Sequence, residues 1–218
     1  MTPALRRAAR KVAGGLLALL LPPCAAGAEI AGRVELPRQL NAPVKTQNYE
    51  PVASGGALAP VKPAAVVYLE GEFPPANPAP TVQLVQKGQA FIPALLPIQV
   101  GTKVEFPNYD DLYHNVFSFS PPKRFDLGRY RTEDRPVPSQ VFDKLGLVTL
   151  RCEIHSHMRG QILVLGTPHF VTTDEHGNFR LTGLPAGRFV VKAWLDAATT
   201  HARPVELGPD TVLRVDFP

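Results

Sequence analysis

Cysteine is nearly absent from this 218-residue chain, which has only Cys24 and Cys152. Cys24 lies in a stretch that reads as a removable leader, so the expected mature chain keeps Cys152 alone. An intramolecular disulfide framework is then excluded. No apolar run approaches the roughly 20 residues a helix needs to cross a bilayer. Beyond the leader there is no extended apolar stripe of helical period, which argues against a helical core. An excess of one charge is missing too. The whole chain has 23 Lys and Arg against 19 Asp and Glu, but Arg6, Arg7, Arg10 and Lys11 belong to the leader, and removing these four leaves 19 against 19. A formally neutral mature chain gives no electrostatic reason to expect a nucleic acid or an anionic membrane as partner.

The leader itself is legible. Four basic residues precede the apolar run Val12 to Leu21, followed by Pro22 and Pro23 and then the small residues Ala26-Gly27-Ala28. This is the pattern of a secretory signal peptide over residues 1–28, and it places the mature protein in the periplasm or outside the cell. Lipidation at Cys24 fits poorly with the two prolines ahead of it.

After the leader, segments with β-branched residues or alternating polarity recur: Ile30 to Leu36, Ala65 to Leu69, Thr81 to Val85, Leu96 to Phe106, Val116 to Phe119, Leu147 to Cys152 and Gln161 to Leu165. The 24 prolines and 17 glycines interrupt them at short intervals. The expected class is all-β, built as sandwiches. Gln39 to Pro63 and the proline-rich Phe73 to Pro80 read as linkers, and Phe125 to Ser139 as a surface excursion. In the C-terminal stretch, Asp174 and Gly177 suit one turn and Pro185 and Gly187 another. Strands at Phe179 to Leu181 and Phe189 to Trp194 are expected to form a hairpin.

An unpaired thiol in an oxidising compartment needs burial or a bond to something else. The surrounding residues suggest which. In LRCEIHSHMRGQILV, Cys152, His155 and Met158 occupy a short loop between two strands with C-x2-H-x2-M spacing. Such a loop can aim a thiolate, an imidazole and a thioether at one point. This soft donor set suits copper in both oxidation states, with two imidazoles and a thiolate near one plane and a weak axial thioether. The second imidazole must come from elsewhere, and His114 in LYHNVFSF supplies it. Asn115 beside it is positioned to brace the cysteine loop by hydrogen bonding.

Competing readings exist for each residue. His157 offers a C-x4-H spacing, but Met158 as its immediate neighbour could hardly turn to an axial position, so His155 is preferred. His169, His176 and His201 lack ligand spacing and read as surface residues. Zinc accepts Cys and His, but a thioether argues against it. A catalytic pair of Cys152 and His155, set on one loop beside a methionine, has no clear acid partner to orient the imidazole, so an enzyme is not expected.

Residues 80–166 resemble the cupredoxins, the blue copper proteins of the amicyanin and plastocyanin type. The likeness rests on the C-x2-H-x2-M-R-G ending and on AFIPALLPIQVGTKVEFPNYD upstream, with Val100-Gly101-Thr102 and Phe106-Pro107-Asn108 before His114. The resemblance implies a Greek-key sandwich with one type 1 copper held by His114, Cys152, His155 and Met158. It further implies single-electron transfer between redox partners, with the His155 edge as exit route and Ile154, Ser156 and Pro121 near a docking patch. By the same family analogy the partner would be a c-type cytochrome or a periplasmic dehydrogenase. The same ligands would also serve a periplasmic copper carrier or store, or an interaction protein with a structural metal.

The flanking segments resemble a different family, the carboxypeptidase-regulatory or transthyretin-like sandwiches. IAGRVE, AAVVYLEG and TTDEHGNFRLTGLPAGRFVVKAW carry that likeness. It implies a discontinuous second sandwich made of residues 29–79 and 167–218, with the copper domain inserted between them.

Overall fold

The computed structural model describes residues 27–37, 63–71 and 73–218. The leader expected over residues 1–28 lies outside the described residues except for Gly27 and Ala28, and the Gln39 to Pro63 linker except for Pro63. Ala28, expected to end the leader, is fully buried as the first residue of a strand.

In chain order the strands are β1 (Ala28–Arg33), β2 (Val66–Glu70), β3 (Thr81–Gln83), β4 (Val85–Gln86), β5 (Phe91–Ile92) and β6 (Leu95–Gln99). They continue with β7 (Lys103–Glu105), β8 (His114–Ser118), β9 (Phe125–Tyr130), β10 (Ser139–Val141), β11 (Gly146–Arg151) and β12 (Arg159–Leu165). The last five are β13 (Phe170–Thr172), β14 (Asn178–Leu184), β15 (Gly187–Trp194), β16 (Thr200–Leu207) and β17 (Val212–Arg214). The protein is all-β, and among the described residues no helix is long and apolar enough to cross a membrane.

These strands bury two separate cores. In the first, the sheet β14-β1-β17 faces the sheet β13-β2-β15-β16. Ile30, Val67, Leu69, Phe179, Leu181, Val191, Leu207 and Phe217 fill the space between them. Alternation explains the choice of face: along β14 only Phe179, Leu181 and Leu184 are buried. Each fully buried aliphatic or aromatic side chain of this kind contributes about 1.5–3 kcal/mol. The backbone of β1 runs close to its neighbours. A side chain at Gly32 would meet Val215 O at 1.8 Å, and Gly177, at φ +83°, turns the chain where a Cβ would lie 2.0 Å from Val34 O.

The second core belongs to the sheet β6-β12-β11-β8-β9 and the smaller sheet β10-β7-β3, with β4-β5 beside them. Leu84, Ile98, Phe106, Val116, Phe142, Leu150 and Ile162 pack here together with Cys152 and Met158.

A third apolar cluster joins the two. Val66 and Trp194 pack with Leu163 and Leu165, and Tyr68, Leu95, Leu147 and Phe170 close its margin. Successive side chains on a strand point to opposite faces, so β12 sends Ile162 and Val164 into the second core and Leu163 and Leu165 into the third. In the same way β2 directs Val67 and Leu69 to the first core and Val66 to the third.

Three expectations are corrected. The strand expected over Leu96 to Phe106 is two strands, β6 and β7, because Gly101 at φ +90° turns the chain and Thr102 Oγ1 caps the turn on Gln99 O at 2.7 Å. The surface excursion expected from Phe125 to Ser139 opens with β9, whose Phe125 and Leu127 pack on the second core beneath charged residues. The hairpin expected between the strands now numbered β14 and β15 does not form. β14 pairs with β1 and β15 with β2 and β16, so the Leu184 to Gly187 turn carries the chain from one sheet to the other.

Candidate metal centre

The loop from Cys152 to Met158 is closed by the pairing of β11 with β12, in register from Gly146↔Val164 to Arg151↔Arg159. Seven residues therefore span the end of a ladder whose two sides hold the loop ends together. A turn inside it, with Met158 N donating to His155 O at 2.9 Å, folds the loop back on itself. Cys152 and Met158 are 3% and 1% exposed and belong to the same core. His114 opens β8, which pairs with β11 through Phe117↔Arg151, so a residue distant in sequence stands beside the loop.

The protein brings three expected ligands together. His114, Cys152 and His155 each offer a ligand atom, and these atoms lie within 4.8 Å of one another, close enough to hold one metal ion. The Nδ1 atoms of His114 and His155 are 3.0 Å apart, and Cys152 Sγ is 3.9 Å from His155 Nδ1. His157 lies outside this group: it is exposed, with its ring centroid 5.9 Å from that of His155.

Hydrogen bonds hold these groups in place. The Nε2 of His114 meets Asp110 Oδ2 at 2.8 Å. The same carboxylate accepts Gly88 N at 2.6 Å and Gln89 N at 2.9 Å, where Gly88 and Gln89 have φ values of 61° and 55°. Two successive residues in the left-handed region present their N–H groups to one anion, a small nest. Asn108 shapes the intervening loop, its Nδ2 donating to Leu112 O at 2.8 Å and Tyr130 O at 3.1 Å. On the cysteine side, Glu153 N donates to Asn115 Oδ1 at 3.0 Å, so Asn115 braces the loop.

The electrostatics follow from this arrangement. Burial pushes the Cys152 thiol pKa up, but hydrogen bonds from His114 and from the backbone N–H groups of Asn115, His155 and Ile154 outweigh it, and the net shift is down. Burial pulls His114 down, yet its bonds to Cys152 and Asp110 leave it raised. His155 is lowered by burial and by the neighbouring His114 and His157. Burial works against ionisation of Asp110, and the N–H of Gln89, the His114 ring and the N–H of Gly88 reverse that effect, leaving its pKa low.

The donor set fits copper. Two imidazole nitrogens and a sulfur whose pKa is lowered converge, and the Met158 thioether is buried in the same core as Cys152, at the other end of the loop; a thioether is not among the usual zinc donors. Around it the surface is partly apolar. Ile154 is 40% and Tyr113 49% exposed, and with Arg129 they line a shallow depression. Ser156 and Pro121 are exposed as well.

Asp110 was not among the expected functional residues, although the signal was present: an acidic residue four positions before the histidine, in a loop. Of the histidines expected at the surface, His176 is exposed but His169 and His201 are half-buried. His169 packs edge-on against Phe73, ring centroids 4.9 Å apart.

No protein-family model matches the sequence, and no curated protein does. Among solved structures, one similar chain is a copper-containing nitrite reductase from Thermus scotoductus SA-01, 31% identical over 38% of this chain and 22% of that one, with a TM-score of 0.35. A second is a purple cupredoxin from Nitrosopumilus maritimus, 25% identical over 38% of this chain and 98% of that one, TM-score 0.34. A third is a reduced amicyanin variant, 20% identical over 45% of this chain and 97% of that one, TM-score 0.36.

Proposed function

We propose that this chain is an exported blue copper protein of the cupredoxin type, holding one type 1 copper through His114, Cys152, His155 and Met158 and carrying single electrons without being an enzyme. The observation that carries this reading is the convergence of the two histidine Nδ1 atoms, 3.0 Å apart, on the only thiol among the described residues. Copper in such a donor set changes between Cu(II) and Cu(I) with little ligand movement. The protein's own part is to keep that movement small. Asp110 orients the His114 ring, Asn115 ties down Glu153, and the Met158 to His155 turn fixes the loop. Such bracing favours electron transfer over rapid copper hand-over, which needs a ligand free to swing out.

His114 is fully buried, whereas His155 is half-buried beside exposed Tyr113 and Ile154. In this reading the His155 edge is the route by which electrons leave, and the partner is a periplasmic redox protein such as a c-type cytochrome or a dehydrogenase. The domain division proposed with it is residues 29–79 and 167–218 as a carboxypeptidase-regulatory-like sandwich, with residues 80–166 as the inserted copper domain. Its support is that β1 and β2 pair with β13 to β17 and with no strand of the second core. Localisation in the periplasm or outside the cell rests on the leader.

The test is spectroscopic. Protein loaded with Cu(II) is expected to show an intense visible thiolate-to-copper band and a type 1 EPR signal, and Cys152→Ser is expected to remove the band. A colourless copper-loaded protein rejects the reading.

A further inference from the structure

Resting on that copper reading, we infer that Asp126, an exposed residue of β9, is a positioning residue for the ligand loop and acts through the buried Asn115. The pairing of β8 with β9 slips between Asn115↔Arg129 and Phe117↔Asp126, so β9 carries one extra residue at this point. Gly128, at φ +70°, absorbs the bulge. The bulge places one oxygen of Asp126 where two donors converge: Gly128 N at 2.9 Å and Asn115 Nδ2 at 2.7 Å.

The consequence lies on the other side of the amide. A carboxylate can only accept, so it compels Asn115 to present its NH2 group to Asp126 and its carbonyl oxygen away from it. That oxygen is the one that accepts Glu153 N at 3.0 Å, next to Cys152. Rotating the amide by half a turn would set its oxygen against the carboxylate and its NH2 against the N–H of Glu153, two repulsive contacts at a residue only 1% exposed. Asp126 thus selects a single orientation of Asn115, and the chain Asp126, Asn115, Glu153 sets where the backbone leaves the ligand cysteine. Arg129 Nε, bonded to Glu153 Oε1 at 2.7 Å, holds the same loop residue to β9 from outside.

The experiment is amide hydrogen exchange by NMR in the metal-free full chain, followed by EPR of the copper-loaded form. Asp126→Ala is expected to speed exchange of the Glu153 amide by roughly tenfold, the loss of one hydrogen bond, and to change the copper hyperfine coupling. Asp126→Asn, which keeps an acceptor oxygen, is expected to restore most of both. Should Asp126→Ala not fold, the wild-type protein still decides: slow exchange of the Asn115 side-chain NH2 protons is expected, and fast exchange overturns the assignment. Unchanged Glu153 exchange in a folded Asp126→Ala protein, or no rescue by Asn, overturns it as well. Because exchange is read without metal, a chain that shows these effects but takes up no copper refutes the copper reading alone. A chain with the visible band and unmoved Glu153 exchange refutes Asp126 alone.

Discussion

Asp110 and His114 are joined by a hydrogen bond of 2.8 Å between Oδ2 and Nε2, which leaves the Nδ1 of His114 facing His155 and Cys152. The carboxylate is anchored by Gly88 N and Gln89 N, so the histidine is oriented by the turn between β4 and β5, far from it in sequence. Removing the charge while keeping an acceptor oxygen, as in Asp110→Asn, is expected to weaken Cu(II) binding by about 10–100-fold. Competition titration against a chelator of known affinity measures this, and an unchanged affinity would show that the pairing does not orient the ligand.

His155 and His157 should separate cleanly. His155→Ala removes an atom 3.0 Å from the other imidazole and is expected to abolish the visible band or replace it with the spectrum of an open site. His157→Ala alters an exposed ring and is expected to leave both the optical and the EPR spectrum unchanged. The reverse pattern would move the ligand assignment to His157.

Trp194 links the two cores by packing against Leu163 and Leu165 while only 7% exposed. Trp194→Ala leaves a large void there and is expected to destabilise the protein by about 3–5 kcal/mol. Thermal unfolding followed by circular dichroism reads the loss. The copper band of the folded variant is expected to persist, since Trp194 belongs to neither the second core nor the ligand loop.

Acid should loosen the turn before β14. Asp174 is held below the ordinary carboxylate range by hydrogen bonds from the Asn178 side chain and backbone and from the His176 N–H. A native pKa below the unfolded one means that its contribution is fully present above the unfolded value and is lost as pH falls through the lower native value. Melting temperatures measured downward from about pH 5 are expected to fall less steeply for Asp174→Asn than for the wild type. Equal slopes would remove Asp174 from the acid response.

Much of the ligand loop could be read from the chain because its parts are neighbours. Cys152, His155 and Met158 sit between two alternating strands, and spacing alone places them at the end of one ladder. Asp110 was harder to find, because Asp110 and Asp111 look alike in sequence and only the nest at Gly88 and Gln89 selects the first. β9 is hard to read in the sequence because Asp126, Arg129 and the glycine between them dilute its alternation, and the bulge shifts the phase of what remains. The Leu184 to Gly187 turn is legible in the sequence, but a turn specifies reversal of the chain and says nothing of which sheet receives the next strand.

The sequence by itself determined the all-β class, the turns at Asp174 to Gly177 and Leu184 to Gly187, and a cysteine with histidines and a methionine at ligand spacing. These follow from side-chain alternation, from backbone conformations that glycine and proline favour, and from donor chemistry, all of which act within a few residues. Tertiary structure alone decided that β1 joins β14 and β17, that β12 buries both its faces, and which carboxylate meets His114. A strand edge can pair equally well with many others, and the choice among them is made by which side chains fill a shared core.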